Sequence, residues 1–213
     1  MTIRLYDYWR SSAAYRVRIA LNLKGLAYAS VDTSLLHGEQ RDPAYLALNP
    51  QGLVPMLEVD GLKLTQSLAI IDWLDTAHPE PRLIPAEAEA RAAELAKAMV
   101  IAADIHPINN LRILKYLKSQ LGHSQDEIDQ WARHWITQGF AALEAMADPD
   151  KPYLSGDAPG LADVFLIPQM ANARRVNTPL DAFPNLVAID ARATALGPFA
   201  RAHPDAVKPA RYE

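Results

Sequence analysis

The sequence of 213 residues contains no cysteine. This absence excludes disulfide bonds, and it argues against a structural zinc site because histidine alone would have to supply the soft ligands. We therefore expect no metal. Since the thiolate is the sulfur nucleophile of proteins, any sulfur chemistry carried out by this chain must use sulfur that arrives on a small molecule.

Excess positive charge and long apolar runs are also lacking. The formal net charge is −4 at pH 7, whereas nucleic acids and anionic membranes select a basic face. No apolar run approaches the ~18 residues that cross a bilayer. The first residues lead directly into a predicted strand without a signal-peptide core. We expect a cytoplasmic protein with neither a nucleic-acid nor a membrane partner.

Internal repeats and low-complexity segments are absent too, and short elements alternate up to about residue 80. Period-2 and helical spacings predict strands at 3–6, 28–32, 55–59 and 62–65 and helices at 12–24 and 67–78, with a helical turn near 42–47. The pair Asp60-Gly61 predicts a tight type I′ hairpin. A βαβ unit followed by a hairpin and a helix predicts a thioredoxin-like α/β domain over residues 1–80.

Prolines punctuate the next segment, so residues 81–86 are predicted to be a linker. Beyond it the pattern is helical throughout, which predicts an all-α domain over residues 87–213. The predicted helices span 87–121 with a kink at Pro107, 124–147, 160–176, 184–195 and 197–202. In the second of these, one apolar stripe is predicted to contain Ile128, Trp131, Trp135 and Ala142.

An arginine and two hydroxyls lie on the turn that opens the first predicted helix, at Arg10, Ser11 and Ser12. A helix N-terminus presents unpaired N–H groups and the positive end of a dipole, which suits a phosphate, a carboxylate or a sulfur anion. The alternative is that one serine only caps the helix, since serine is a favoured cap.

Two further motifs lie in the same domain. Val54-Pro55 opens a predicted strand, and a cis bond there would leave the Val54 main chain free to pair with an extended peptide ligand, whereas a trans turn is the default. Gln66-Ser67 opens the third helix, where either an N-cap at Ser67 or a bound carboxylate fits. Together the motifs describe two anion sites with a peptide-pairing edge between them. Glutathione has that shape.

The chain resembles the zeta-class glutathione transferases, a group that includes isomerases of maleyl keto acids. The resemblance extends to about Pro184 and is carried by Ser11-Ser12 with Arg16–Leu21, Leu48–Pro50 with Val54-Pro55, Gln66–Ile71 and Asp104–Asn110. It implies the glutathione transferase fold, a homodimer, and glutathione as a catalytic cofactor.

The resemblance also implies roles by position. Ser11 matches the catalytic serine, whose hydroxyl donates to the glutathione thiolate and so lowers the thiol pKa. Ser12 is a lesser contributor to catalysis, and Arg10 is the third residue that we assign to it. Contacts with glutathione are implied for Gln40, Val54, Gln66, Ser67, His106, Asn109 and Asn110.

Arginines suit a substrate with two carboxylates, because a guanidinium pairs with a carboxylate bidentately. Arg10, Arg112 and Arg175 are predicted to form such a cage, although solvation is the alternative for any one surface arginine. Arg175 matches a substrate-binding position of the family, and Arg112 resembles its maleylpyruvate branch. Arg16 and Arg18 are assigned to the fold or the dimer.

Two positions depart from the family pattern. Ala13 stands where the family commonly has cysteine, which should spare the isomerase chemistry because glutathione supplies the sulfur. Gly160 stands where a serine or threonine usually opens a capping box, and glycine is a weaker cap by only a few tenths of a kcal/mol. We expect the fold to hold.

The resemblance predicts a glutathione-dependent cis–trans isomerase that acts on a cis-enone diacid, maleylacetoacetate or maleylpyruvate, in the catabolism of tyrosine or other aromatic compounds. A general glutathione transferase or dehalogenase is a second hypothesis, but a hydrophobic electrophile would not need the arginines. A glutathione transferase-like binding module is the third, and such a module tends to lose the helix-start hydroxyl and the Gln-Ser pair.

Overall fold

A computed structural model of the chain describes residues 1–212, which form two compact units. Unit 1 consists of Met1–Leu83 together with the segment from Ala195 onward, and unit 2 consists of Ile84–Thr194. The boundary at Leu83 lies inside the linker predicted at 81–86. Among the described residues, no helix is both long enough and apolar enough for a membrane span, and no group of three or more histidines and acids could hold a metal ion.

The strands are β1 (Ile3–Asp7), β2 (Ala29–Asp32), β3 (Met56–Val59) and β4 (Leu62–Thr65). The helices are α1 (Ser12–Leu23), α2 (Pro43–Leu46), α3 (Ser67–Ala77), α4 (Ala88–Met99), α5 (Leu111–Ser119), α6 (Gln125–Met146), α7 (Leu161–Arg175), α8 (Pro184–Thr194), α9 (Gly197–Ala202) and α10 (Pro204–Val207). Shorter helical segments are the 3₁₀ turns Glu39–Arg41 and Ala210–Tyr212 and the π-helix Val100–Ile105.

The sheet of unit 1 is mixed and has the order β2-β1-β3-β4. Strand β1 pairs in parallel with β2, with Leu5 opposite Ser30, and antiparallel with β3, with Leu5 opposite Leu57. Helix α1 makes the crossover that a parallel pair requires. At the β3–β4 turn, Asp60 and Gly61 both have positive φ, at 47° and 90°, as a type I′ turn demands. The predicted thioredoxin-like α/β arrangement is confirmed.

The C-terminal segment packs in unit 1, whereas the sequence predicted it as part of a helical domain over 87–213. Arg18 Nε donates to the Ala202 carbonyl at 2.9 Å, and Asn22 Nδ2 donates to the Pro198 carbonyl at 2.9 Å. Phe199 is fully buried. Helix α9 therefore completes the core beside α1, through contacts that helical periodicity in the sequence does not encode.

The predicted helix over 87–121 is wrong, because the structure contains two helices joined by a π-helix and a turn. The π-helix ends with the His106 N–H donating to the Ile101 carbonyl at 2.9 Å. Pro107 has no N–H to donate, so it cannot continue the ladder of helical hydrogen bonds. Asn110 then caps α5, its side chain accepting the Arg112 N–H at 3.2 Å. The interruption is a break and not a kink.

The buried stripe of α6 also differs from the predicted one. Its buried residues are Ile128, Ala132, Ile136, Phe140 and Leu143. Trp131 and Trp135 are only half-buried, and Ala142 is exposed. The prediction followed the largest apolar side chains, whereas the buried face follows the i, i+4 geometry of the helix and admits the small Ala132.

The start of α7 explains how the chain accommodates Gly160. Glu94 of α4 accepts the Ala162 N–H at 2.7 Å and the Ser155 hydroxyl at 2.6 Å. Asp163 accepts the Gly160 N–H at 3.0 Å, the second half of a capping box. A side chain from another helix thus satisfies an N–H that a serine cap would otherwise help to satisfy.

Candidate active site

The start of α1 holds Ser11 as its N-cap. The Ser11 backbone is extended, with φ −70° and ψ 116°, and its Oγ accepts the Ala14 N–H at 3.2 Å. The capping interpretation is therefore correct for Ser11, yet it is compatible with chemistry. A hydroxyl that accepts one hydrogen bond keeps its own proton to donate, and Ser11 is only half-buried.

The loop before this cap is fixed by a buried arginine. Arg18 Nη1 binds both carboxylate oxygens of Asp7, at 2.6 and 2.8 Å, and its Nη2 donates to the Trp9 carbonyl at 3.1 Å. Burial raises the pKa of Asp7, and the Arg18 charge opposes that rise. Arg18 thus serves the fold, as the sequence predicted, and it also sets the path of the chain into Arg10 and Ser11.

The neighbours of Ser11 differ in exposure. Arg10 is exposed, with its guanidinium carbon 5.5 Å from the centroid of the Trp9 ring. Ser12 is buried at the first helical position. Ala13 is buried as well, so the position at which the family commonly has cysteine belongs to the core in this chain.

Val54 lies one residue before Pro55, just outside β3. The Val54–Pro55 bond is cis, and β3 begins at Met56, so the Val54 main chain lies beyond the sheet ladder. The preceding Leu53 carbonyl accepts from the Tyr45 hydroxyl at 2.6 Å and from Asn49 Nδ2 at 2.7 Å. Burial raises the pKa of Tyr45 to about 12, so the phenol remains a donor.

Gln66 and Ser67 form the start of α3. Gln66 occupies the cap position with a φ of 69°, which is unusual for a residue other than glycine, and its amide donates to Gln51 Oε1 at 2.8 Å. The cap residue is Gln66 and its side chain makes no capping hydrogen bond, so the expected alternative, an N-cap at Ser67, is not what forms. The first N–H groups of a helix have no partner within it, so those of α3 suit an external acceptor.

Arg16 contacts a predicted site residue, a contact that the sequence did not predict. It is almost completely buried in α1, and its Nη1 donates to Ser67 Oγ at 3.2 Å. Burial lowers the pKa of Arg16 to about 9, so the guanidinium is still charged at neutral pH. The contact joins residues 51 positions apart, and no local sequence signal could have revealed it.

Gln40 lies in the 3₁₀ turn Glu39–Arg41. Its Oε1 is buried and has no hydrogen-bond partner among residues 1–212. A buried acceptor left without a donor costs about 1–3 kcal/mol. Such an atom indicates a place where a donor from a ligand or a water belongs.

The predicted residues of unit 2 do not lie along one helix. His106 and Asn109 lie in the turn before α5, and Asn110 is the cap of that helix. Both side-chain amide atoms of Asn109 are buried without a partner in the described part of the chain. Arg112 is exposed in the first turn of α5, and the exposed Arg175 ends α7 with its Nη2 donating to Asn172 Oδ1 at 2.7 Å.

Two contacts link predicted site residues of unit 1 to other parts of the same unit. Arg16 joins α1 to the start of α3 through Ser67, and Val54 packs in one cluster with Tyr8 and Tyr45. Residues 5–82 match the glutathione S-transferase N-terminal domain, and residues 126–189 match the glutathione S-transferase C-terminal domain. The chain belongs to the glutathione S-transferase family.

Similar proteins narrow the place of the chain within the family. A probable maleylacetoacetate isomerase of Vibrio cholerae is 50% identical over 209 residues, covering 96% of this chain and 97% of that protein. A holo structure of a maleyl pyruvate isomerase, a bacterial zeta-class transferase, has a TM-score of 0.94 at 43% identity and covers 96% of this chain and 98% of its own.

A maleylacetoacetate isomerase from Anaeromyxobacter dehalogenans, solved with glutathione in its active site, has a TM-score of 0.87 at 43% identity, with 98% of each chain covered. These similarities confirm the resemblance to the zeta class.

Proposed function

We propose that this glutathione S-transferase is a glutathione-dependent cis–trans isomerase of a maleyl keto acid, maleylacetoacetate or maleylpyruvate, in the catabolism of tyrosine or other aromatic compounds. The observation that carries the proposal is the start of α1. Ser11 Oγ accepts the Ala14 N–H and keeps its proton for an anion. The similar proteins, a probable maleylacetoacetate isomerase and a zeta-class maleyl pyruvate isomerase, support the choice of reaction.

The residues of unit 1 fit glutathione. The N-terminus of α3, with Ser67 and the charged Arg16 behind it, suits the γ-glutamyl carboxylate. The Val54 main chain beyond the ladder suits the peptide middle. Gln40 Oε1, a buried acceptor without a partner, suits an N–H donor of the tripeptide. Ser11 at the tip of α1 then suits the sulfur.

The contributions of unit 2 rest chiefly on the resemblance. We include His106, Asn109 and Asn110 among the glutathione contacts, although Asn110 is already engaged as the cap of α5. The partnerless amide of Asn109 supports its inclusion. Arg112 and Arg175 belong to the proposed cage for the substrate carboxylates, together with Arg10.

When bound, glutathione supplies a thiolate that adds reversibly to the substrate double bond and departs unchanged. Ser11 donates a hydrogen bond to that sulfur, and the positive end of α1 favours the same charge, so both lower the thiol pKa. Ser12 adds a second hydroxyl nearby. Arg10, Arg112 and Arg175 hold the two carboxylates and stabilise the negative charge that develops at the ketone oxygen.

The test adds maleylacetoacetate or maleylpyruvate to the enzyme with substoichiometric glutathione and follows the change in absorbance from the cis to the trans isomer. We expect many turnovers per glutathione, and the faster substrate identifies the keto acid. Omitting glutathione is the control. Consumption of glutathione in proportion to product would indicate a transferase or dehalogenase, and no reaction with either substrate would overturn the proposal.

The proposal includes a cytoplasmic setting and a homodimer. Reduced glutathione is needed as a thiol, and the cytosol is the compartment that keeps thiols reduced.

The homodimer follows the zeta-class resemblance. Light scattering should give twice the chain mass of 23.5 kDa, and the mass of a single chain would contradict the dimer.

A further inference from the structure

The last described residues of the chain fold back onto two loops of unit 1. Arg211 Nε donates to Asp32 Oδ2 at 2.6 Å, while its Nη1 and Nη2 donate to the two carboxylate oxygens of Glu39 at 3.0 and 3.1 Å. One guanidinium thus bridges the end of β2 and the turn Glu39–Arg41. Hydrogen bonds from Arg211 and from the Ser34 N–H, together with the Arg211 charge, hold the pKa of Glu39 below its usual value.

Aromatic contacts extend this attachment. The Tyr212 ring meets Tyr8 edge-on with centroids 5.9 Å apart, lies 6.1 Å from Trp9, and stacks on His37 at 6.3 Å and 15°. Lys208 Nζ lies 5.6 Å from the centroid of the Trp9 ring. We call residues 208–212 the C-terminal strap.

Two of the segments that the C-terminal strap contacts, the turn Glu39–Arg41 and the turn at Trp9, adjoin proposed site residues. Glu39 precedes Gln40, whose Oε1 is a buried acceptor without a partner among residues 1–212. Glu39 Oε2 also accepts the Ser34 N–H at 2.6 Å, so the same carboxylate ties the strap to the segment 33–41. Trp9 precedes Arg10 on the turn that leads to the cap of α1.

We propose that the C-terminal strap is a positioning element for glutathione, in which Arg211 acts through Glu39 to hold Gln40 in its binding position. This inference rests on the proposed function. Arg211 does not touch glutathione in this proposal, so it is a positioning residue. Its role is to order the segment 33–41 before the ligand arrives, which removes an ordering cost from binding.

The exposure of these groups determines how the effect should appear. The side chains of Arg211, Asp32 and Glu39 are 42%, 22% and 32% exposed. Exposed ion pairs contribute little to global stability, and salt screens them. Loss of Arg211 should therefore loosen the segment 33–41 and weaken glutathione binding without unfolding unit 1.

The experiment measures the Kd of glutathione by isothermal titration calorimetry. Arg211→Gln and a chain ending at Pro209 should raise the Kd by about two- to fivefold, as the loss of a partly exposed ordering contact would. Arg211→Lys should be intermediate because an ammonium cannot bind a carboxylate in the bidentate way. Arg4→Gln is the matched control, since Arg4 forms an exposed pair with Glu58 at 3.7 Å in the same unit.

Three further readouts distinguish positioning from a structural role. Amide hydrogen exchange of residues 33–41 in the ligand-free protein should be faster in Arg211→Gln, while its melting temperature stays close to that of the wild type. The KM for glutathione should rise in Arg211→Gln. Its kcat at saturating glutathione should stay within about twofold of the wild-type value. Added NaCl should weaken binding in the wild type more than in Arg211→Gln.

The possible failures are separable. Wild-type affinity in both Arg211→Gln and the shortened chain overturns the strap proposal and leaves the proposed function intact. Faster exchange without a change in Kd also overturns it, because the loop would then be ordered for another reason. A parallel fall in kcat and melting temperature indicates a structural role only. Absence of glutathione binding by the wild-type protein overturns both proposals.

Discussion

At the scale of single residues, one hydroxyl at the tip of α1 has a structural role and a proposed chemical one. Ser11 Oγ accepts the Ala14 N–H at 3.2 Å, which contributes about 1 kcal/mol as a helix cap. The proton of the same hydroxyl is available for the sulfur of glutathione. In this proposal the oxygen of the Ser11 hydroxyl caps the helix and its proton serves the chemistry, so a substitution at Ser11 affects both.

Ser11→Ala should reduce turnover far more than it weakens glutathione binding. The lost hydrogen bond acts on the thiolate, so the pKa of the bound thiol should rise, which thiolate absorbance measured against pH detects. S-methylglutathione has no thiol to ionise, and its affinity should change little. Ser11→Thr keeps both the cap and the hydroxyl and serves as the control. Equal losses in turnover and affinity would contradict the role given to Ser11.

Arg16→Gln should produce the opposite profile. Arg16 supports Ser67 Oγ at 3.2 Å and adds a buried charge behind the start of α3. Its loss should weaken glutathione and S-methylglutathione alike, roughly tenfold or about 1.4 kcal/mol, with the pKa of the bound thiol unchanged. Calorimetry with both ligands measures this. Arg16→Lys, which retains a charge, should lie between, and a variant that weakens only glutathione would refute the argument.

At the scale of elements, α7 begins at a glycine and relies on α4 for its cap. Glu94 accepts the Ala162 N–H and the Ser155 hydroxyl. A Cβ on Gly160 would lie 2.7 Å from Ser155 Oγ and 2.9 Å from Glu94 Oε1. The Glu94 carboxylate can therefore cap α7 only because position 160 is glycine, since a side chain there would clash with the carboxylate and with Ser155.

Glu94→Ala should lower the free energy of unfolding by about 1–3 kcal/mol for each buried donor left unpaired. Gly160→Ser should also destabilise the wild-type chain, because its Cβ clashes. In the Glu94→Ala background the Glu94 carboxylate no longer occupies this space, and the serine can cap α7 in its place. Gly160→Ser should therefore lower the free energy of unfolding by less in that background than in the wild type. Urea unfolding of the four proteins measures this coupling, and additivity within about 0.5 kcal/mol would exclude it.

The Glu94 carboxyl also predicts a pH dependence. Burial raises its pKa above the usual 4.5, against the opposing hydrogen bonds. Above its folded pKa, the buried charge costs stability, and this cost disappears as pH falls through that value. Glu94→Gln cannot ionise, so the wild type should gain stability relative to Glu94→Gln as pH falls from 7 towards about 5. The free energy of unfolding of both proteins, measured at each pH, tests this expectation. A wild type that loses stability relative to Glu94→Gln as pH falls would contradict it.

Local signals account for the elements that the sequence predicts correctly. The Asp60-Gly61 turn and the helix start at Ser11 depend on residues adjacent in the chain. The break between α4 and α5 does not, because the apolar spacing continues through the π-helix Val100–Ile105 and periodicity cannot distinguish a wide turn from a regular one. Pro107 was therefore interpreted as a kink.

At the scale of the whole molecule, the features that the sequence did not predict are contacts between distant parts of the chain. Arg16 and Ser67 are 51 residues apart, and Arg211 and Asp32 are 179 apart. The family resemblance assigned glutathione contacts to the two helix starts, but it did not indicate the contact of Arg16 with Ser67. Such buried or bridging arginines have no local pattern, so only the folded chain reveals what they hold.

The discontinuous composition of unit 1 leads to a prediction about fragments. Residues 1–83 alone lose the Phe199 side chain from their core and the Ala202 carbonyl that binds Arg18. Burial of one such aromatic is worth about 1.5–3 kcal/mol, a large share of the stability of so small a fragment.

Fragment 1–83 should therefore melt without a cooperative transition. Joining residues 195–213 to it through a flexible glycine-serine linker should restore one, because α9 can then pack again beside α1. Circular dichroism on heating compares the two, with Phe199→Ala in the joined chain as the control that removes the main buried contact. If fragment 1–83 unfolded as cooperatively as the joined chain, the C-terminal segment would be dispensable, and unit 1 would end at Leu83.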